Sequence, residues 1–402
     1  MLSERSRRVG TSPTMKVAAE AERMRRQGLD VVDLGAGEPD FATPEHIKAA
    51  GRAAIDANQT KYTVNQGLNE LRAAIAERYW DDYHVSYGEQ EIIVTNGGKQ
   101  ALYNAMLALF GAGDEVITHA PGWATIVEQI KLVDATPVIV RAHAEDGFAL
   151  RAESFLEAVT PTTRGIVINS PCNPTGALIT EGEFAKIAEV CAGRGIWMLL
   201  DLCYERLIYE AAPHNLPRVV AELARDRAVL CGSASKAYAM TGWRCGWAMG
   251  PAHLIAACNA KQSHSTSNVC SITQHAAVAA MRGPQDCLDE MLHEYRGRRE
   301  LIWELMTADR RVRCVKPAGA FYLFLDVSDL LSPDGLRTSG EFARAFLDEQ
   351  HVAVTAGEAF DAPGFIRISY ATSVDRLREG AARFSRFIGA LERDGRLAPS
   401  GH

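Results

Sequence analysis

Between residues 91 and 232 the chain repeats one unit: a short apolar run, a polar loop, then a stretch long enough for a helix. The runs are EIIVT (91–95), EVITH (115–119), TPVIV (136–140), RGIVIN (164–169), IWMLLD (196–201) and AVLCG (228–232). Nearly continuous apolar runs of this length suit strands buried on both faces. Strands joined by crossover helices lie parallel in one sheet, and the helices cover both of its faces. The intervening helices are expected to end near 110 and to span about 125–133, 152–159 and 181–192.

Outside this block the pattern differs. Pro13 and Thr14 open the helical run TMKVAAEAERMRRQ, which Gly28 closes. Further helices are expected from Thr43, Pro44 and Glu45 toward 58, and over 68–83. After about 285 a long helix (286–306) leads to RVRCV, AFYLFLDV, a helix near 341–349, VAVT, FIRISY and a last helix to 392. That order predicts a smaller α+β domain. The expected organisation is a large domain over 41–285 and a small domain over 286–402. Residues 1–40 should join the small domain, because nothing in them feeds the sheet.

Two domains suit a chain of 402 residues, 47% apolar and 23% charged. The net charge of -7 disfavours nucleic acid or an anionic membrane as partner. No apolar run nears the length of a membrane span, and the N-terminus lacks the apolar core of a secretory signal. The nine cysteines fall irregularly between Cys172 and Cys314, as expected for reduced thiols in a cytoplasm. CxxC and HExxH are both missing, so no metal site is expected.

Ligands of parallel sheets bind at the carboxyl ends of the strands. TNGGK, APGW, NSPCNPTG, DLCY and GSASK all follow strand ends, on one expected rim. Gly97, Gly98 and Lys99 sit where a strand turns into a helix, a favoured place for an anion. The spacing fits neither a P-loop nor the GxGxxG dinucleotide turn. Singly, Arg244 reads equally as a surface ion pair, Ser233 and Ser235 as turn residues, and Trp123 as core. Together they fit one flat phosphorylated ligand. Trp123 can stack on its ring, while Gly98, Lys99, Ser233, Ser235 and Arg244 hold its phosphate. Asp201 can pair with a ring nitrogen, and Asn173 and Tyr204 with a ring oxygen. Lys236, the one lysine of SASKAYAMTGWRCGW (233–247), can bind its aldehyde covalently. That ligand is pyridoxal 5′-phosphate (PLP).

LGAGEPDF, TKYTVNQGLNELRAAI, TNGGKQAL, NSPCNPTG, DLCYE, SASKAYAMTGWRCGW, GAFY and FIRISYATS follow one another in that order. On these motifs the chain, over about 13–391, resembles the class I aminotransferases of PLP fold type I. It is most similar to the bacterial aspartate aminotransferase branch, which includes enzymes acting on prephenate. The resemblance implies that Lys236 is the cofactor lysine and proton shuttle. It implies that Arg367 clamps the substrate α-carboxylate with help from Gly37, and that Trp123 and Asn173 also border the substrate. Tyr62 would reach the cofactor phosphate of a neighbouring subunit, making a homodimer with shared sites. Lys99 and Thr14 match positions that handle an acidic side chain, which favours aspartate or another acidic donor and a 2-oxo acid acceptor. An aromatic or other non-acidic donor, and a PLP-dependent lyase or oxidase, keep the same core residues. Leu202, Cys203, Cys172 and Gly122 depart from the family pattern at the pocket.

Overall fold

The structure is a computed structural model that describes residues 7–10, 13–209 and 214–397; the side chains of residues 13–16 lie outside that set. Its elements, in chain order, are α1 (Pro13–Arg26), β1 (Val32–Asp33), α2 (Glu45–Asp56), α3 (Asn69–Tyr83), β2 (Ile92–Thr95), α4 (Gly98–Leu109), β3 (Glu115–Ala120), α5 (Ala124–Leu132), β4 (Thr136–Arg141), α6 (Ala152–Glu157), β5 (Thr163–Asn169), α7 (Glu181–Arg194) and β6 (Trp197–Asp201). They continue with α8 (Leu216–Leu223), β7 (Ala228–Ser233), α9 (Ala234–Ala237), β8 (Gly246–Met249), α10 (Ala252–Ser263), α11 (Ser271–Arg282), α12 (Asp286–Met306), β9 (Arg313–Cys314), β10 (Tyr322–Asp326), α13 (Ser339–Gln350), β11 (Val352–Ala353), β12 (Thr355–Ala356), β13 (Phe365–Ser369) and α14 (Val374–Arg393).

The large sheet has seven strands in the order β2-β8-β7-β6-β5-β3-β4. β3, β4, β5, β6 and β7 pair parallel. β8 pairs antiparallel with both β2 and β7, so β2 runs the same way as the parallel strands. The apolar runs named above all enter this sheet. β8 does not follow from the alternation rule. It is four residues long and reaches β7 through the single-turn α9 and a loop, a short connection that only an antiparallel neighbour permits. α8, α10 and α11 are likewise additions to the expected set, and α6 stops at Glu157, ahead of Pro161.

Local chemistry starts several helices. Thr180, Thr338 and Ser373 each accept a hydrogen bond from the backbone N–H three residues on, at the starts of α7, α13 and α14. Each such cap contributes about 1 kcal/mol. β10 and β13 form the middle of a four-stranded antiparallel sheet, flanked by β9 and β12. β1 pairs in parallel with β11, and the Ser369 N–H bonds to the Leu34 carbonyl at 2.7 Å. The segment around 32–34 is therefore stitched to the C-terminal strands rather than to the large sheet. Among the described residues, no helix is long and apolar enough to cross a membrane.

Candidate active site

Because β2, β3, β5, β6 and β7 point one way, Thr95, Ala120, Asn169, Asp201 and Ser233 end on one rim. The first region built there is a cup of backbone and cations. Gly97 has φ +85°, and a Cβ on it would lie 2.5 Å from Arg244 Nη2. A Cβ on Gly246 would lie 2.4 Å from the Gly98 nitrogen, so β8 presses directly on the start of α4. Glycine is required at both places. The N–H groups of Gly98 and Lys99 open α4, where the helix dipole favours an anion. Arg244 donates to the Thr241 and Asn96 carbonyls at 3.0 and 3.2 Å, which holds its guanidinium over Gly97. Ser233 caps α9: the Ser235 N–H donates to its Oγ at 3.1 Å, and the two hydroxyls lie 2.8 Å apart.

Lys236 sits in that same turn and crosses to the other region, where its Nζ donates to the Gly37 carbonyl at 2.5 Å. Its tip opens to the cleft while protein surrounds the rest. Desolvation pulls its pKa down, opposed by Cys203 and Glu38 and reinforced by Arg244 and Arg367. Asp201 is buried, and burial pushes its carboxyl up to about 6 against the Cys203 N–H (3.1 Å) and the charge of Lys236. A carboxyl so placed calls for a cationic partner.

Arg367 is 2% exposed. Nη1 donates to Asn173 Oδ1 and Nη2 to the Gly35 carbonyl, both at 2.9 Å. Nε is buried and has no hydrogen-bond partner among the described residues. Since Arg367 occupies Asn173 Oδ1, the Asn173 amide N–H₂ is left to donate elsewhere. The guanidinium carbon lies 4.2 Å from the Tyr322 ring centre and 5.0 Å from that of Phe360. A Cβ on Gly37 would stand 3.1 Å from the Tyr322 hydroxyl. The Tyr204 hydroxyl is 2.8 Å from the same Tyr322 hydroxyl. Lys99 Nζ lies 5.0 Å from the Trp123 ring centre, and desolvation, then Arg244, draws its pKa down.

The fold thus gathers Gly37, Gly98, Lys99, Trp123, Asn173, Asp201, Tyr204, Ser233, Ser235, Lys236, Arg244 and Arg367 around one cleft. Tyr62 stands apart, 93% exposed. Thr14 lies in the first turn of α1, and its side chain is outside the described residues. These donors suit a phosphorylated aromatic aldehyde: an anion cup, a buried acid, a pair of hydroxyl and amide donors, and an amine whose positive charge burial disfavours.

Several residues here carry no sequence signal of their own. His119 is the last residue but one of β3; its Nδ1 lies 3.2 Å from the Pro121 carbonyl oxygen, and its Nε2 accepts the Asn169 N–H at 3.3 Å. Burial pushes its pKa down to about 4, so it is neutral. Asn169 Oδ1 in turn holds the Asn173 N–H at 2.8 Å. Tyr322 is quoted within GAFY, yet only its neighbours assign it to the cleft. Glu205, next to Tyr204, accepts from Tyr79 at 2.9 Å and is pushed up to about 7 by burial.

The family profile described as "Aminotransferase class I and II" matches residues 29–384. The chain belongs to that family. It is 42% identical to the aspartate/prephenate aminotransferase of Cereibacter sphaeroides, over 97% of this chain and 99% of that one. It is 39% identical to the aspartate aminotransferase of Geobacillus stearothermophilus, over 97% and 99%. Among solved structures it resembles the aspartate aminotransferase of Rhizobium meliloti, with a TM-score of 0.92 and 38% identity over 99% and 100% of the two chains. It also resembles the Thermus thermophilus aspartate aminotransferase with maleate, with a TM-score of 0.90 and 38% identity over 96% and 99%. The aminotransferase described here therefore has the type I fold of the PLP enzymes.

Proposed function

We propose that this aminotransferase uses PLP to move the amino group of L-aspartate, or another acidic amino acid, to a 2-oxo acid in two half-reactions. The observation that carries the reading is one half-buried amine, Lys236 Nζ, in the field of a buried acid and a buried arginine, on the turn that Ser233 caps beside a glycine-built anion cup. When bound, PLP supplies an aldehyde that reacts with amines and a ring that accepts the electron pair left when an α-proton departs.

The chain's own groups do the rest. Gly98, Lys99, Ser233, Ser235 and Arg244 would hold the phosphate. Trp123 would flank the ring, Asp201 would pair with its N–H, and Tyr204 and Asn173 would donate to its oxygen. Arg367 would offer Nε, which has no hydrogen-bond partner among the described residues, to the donor's α-carboxylate, a charge-assisted contact. Lys236 Nζ, its charged form disfavoured by burial, would take up the donor's α-proton and hold it for return in the same half-reaction. Lys99, 5.0 Å from the Trp123 ring centre, would read the distal carboxylate, with Thr14 as the second residue proposed for that role.

The exposed ring of Tyr62, with Val64 next to it at 58%, supports a homodimer in which Tyr62 reaches the partner's phosphate. Nine cysteines without a disulfide support a reducing, cytoplasmic setting. The test is the visible spectrum of the purified protein before and after L-aspartate, with no 2-oxo acid added. The yellow colour is expected to bleach. Colour that ignores aspartate rejects the acidic donor, and a protein that stays colourless with added PLP rejects the cofactor.

A further inference from the structure

Tyr322 touches both halves of the site, and the roles above leave it unused. It opens β10, is 1% exposed, and faces Ser369 of β13. Two residues along, Phe324 faces Arg367. Alternation along a strand puts Tyr322, Phe324, Arg367 and Ser369 on one face of the small sheet. From that face the Tyr322 ring lies beside the guanidinium at 4.2 Å, within cation–π range. Its hydroxyl crosses to the loop after β6 and meets Tyr204 at 2.8 Å.

Proton counting gives this contact a direction. Each phenol has one hydrogen. Burial pushes both phenols up, so both stay protonated at neutral pH. A Tyr204 hydrogen given to a ring oxygen cannot also go to Tyr322. The Tyr322 hydrogen must then go to the Tyr204 oxygen. Hydrogen bonds in such a chain reinforce one another. The Arg367 charge opposes the rise in pKa at both phenols, and at Tyr322 it ranks second only to burial.

We propose that Tyr322 is a positioning residue with two separable parts. Its hydroxyl directs and strengthens the hydrogen bond that Tyr204 gives the cofactor's ring oxygen, and its ring supports the Arg367 guanidinium. The proposal rests on the PLP reading of Tyr204 and Arg367 given above.

The test uses the PLP-loaded protein. The pH titration of its visible band reports loss of the proton shared between Lys236 and the cofactor. A donor on the ring oxygen stabilises negative charge and eases that loss. Tyr322→Phe weakens the donor, so the titration is expected to move up by about half a unit to one unit. KM for the amino donor should stay within about twofold, because the ring remains. Tyr322→Leu removes both parts and should also raise KM about tenfold. Tyr295→Phe is the control: this buried hydroxyl has no hydrogen-bond partner among the described residues, and its loss should move neither quantity.

In a Tyr204→Phe background, Tyr322→Phe should add no further shift. An unchanged titration in Tyr322→Phe, with Tyr204→Phe shifted, overturns the coupling and leaves the PLP reading intact. A Tyr204→Phe protein that titrates like the wild type overturns the Tyr204 assignment and the coupling together. A Tyr322→Phe shift that persists undiminished in the Tyr204→Phe background also overturns the coupling.

Discussion

The anion cup and the arginine pocket are linked by Lys236, which leaves the Ser233 turn and reaches Gly37, and they are built in different ways. The cup uses strand ends and glycines: Gly97, Gly98 and Gly246 bring backbone against backbone, and the serines belong to a single turn. The pocket is assembled from distant segments. Arg367 reaches Asn173 across 194 residues and Gly35 across 332. Backbone-built binding is set when the large sheet forms, whereas the pocket exists only when three parts of the chain meet. The cup should therefore govern cofactor affinity and the pocket donor affinity.

The sharpest probe is the residue that joins them. Lys236→Ala is expected to lower kcat by on the order of 10⁴-fold while cofactor and donor still bind; full turnover would dissolve the distinction. Arg367→Leu should cost about 10²–10³-fold in kcat/KM for the amino donor, and little in PLP affinity measured by absorbance. An equal loss of both would merge the two regions.

Asp201, buried at the end of β6 and sensing the Lys236 charge, gives a pH signature. Burial raises its pKa from 3.8 to about 6. A raised acid stabilises the fold below its unfolded value and loses that contribution as pH climbs through the folded value. In cofactor-free protein, Asp201→Asn should gain stability over wild type between about pH 4 and pH 6. The gain should be on the order of 2 kcal/mol and level above that range; thermal melts across the range would read it. A flat difference would mean that Asp201 keeps its charge by another route.

Gly97→Ala should weaken PLP about tenfold, through the strained positive φ and the displaced Arg244, and leave donor KM at saturating cofactor unchanged. The smallest expected effect is Lys99→Met, a loss of about fivefold in preference for aspartate over phenylalanine in kcat/KM.

What was legible in the sequence follows the same division. TNGGK, GSASK and DLCY were found because a parallel strand announces itself and its C-terminal loop follows at once. Arg367 and Gly37 came from family resemblance, since FIRISY reads only as a strand with one arginine. β8 escaped because four residues around GWAM carry no alternation. His119, Asn169 and Tyr322 escaped because each looks like an ordinary strand-end or core residue until its neighbours are known.

Taken alone, the sequence determined the alternating large sheet, the rim on which its loops end, and the lysine, acid and glycines that make PLP the fitting cofactor. These are properties of local pattern and of chain direction. Tertiary structure decided which carbonyl receives the lysine, which donor takes the side-chain oxygen of Asn173, and that one tyrosine contacts both Tyr204 and Arg367. The hydrogen bonds among those contacts join residues more than a hundred positions apart, and no local propensity encodes which distant atoms will meet.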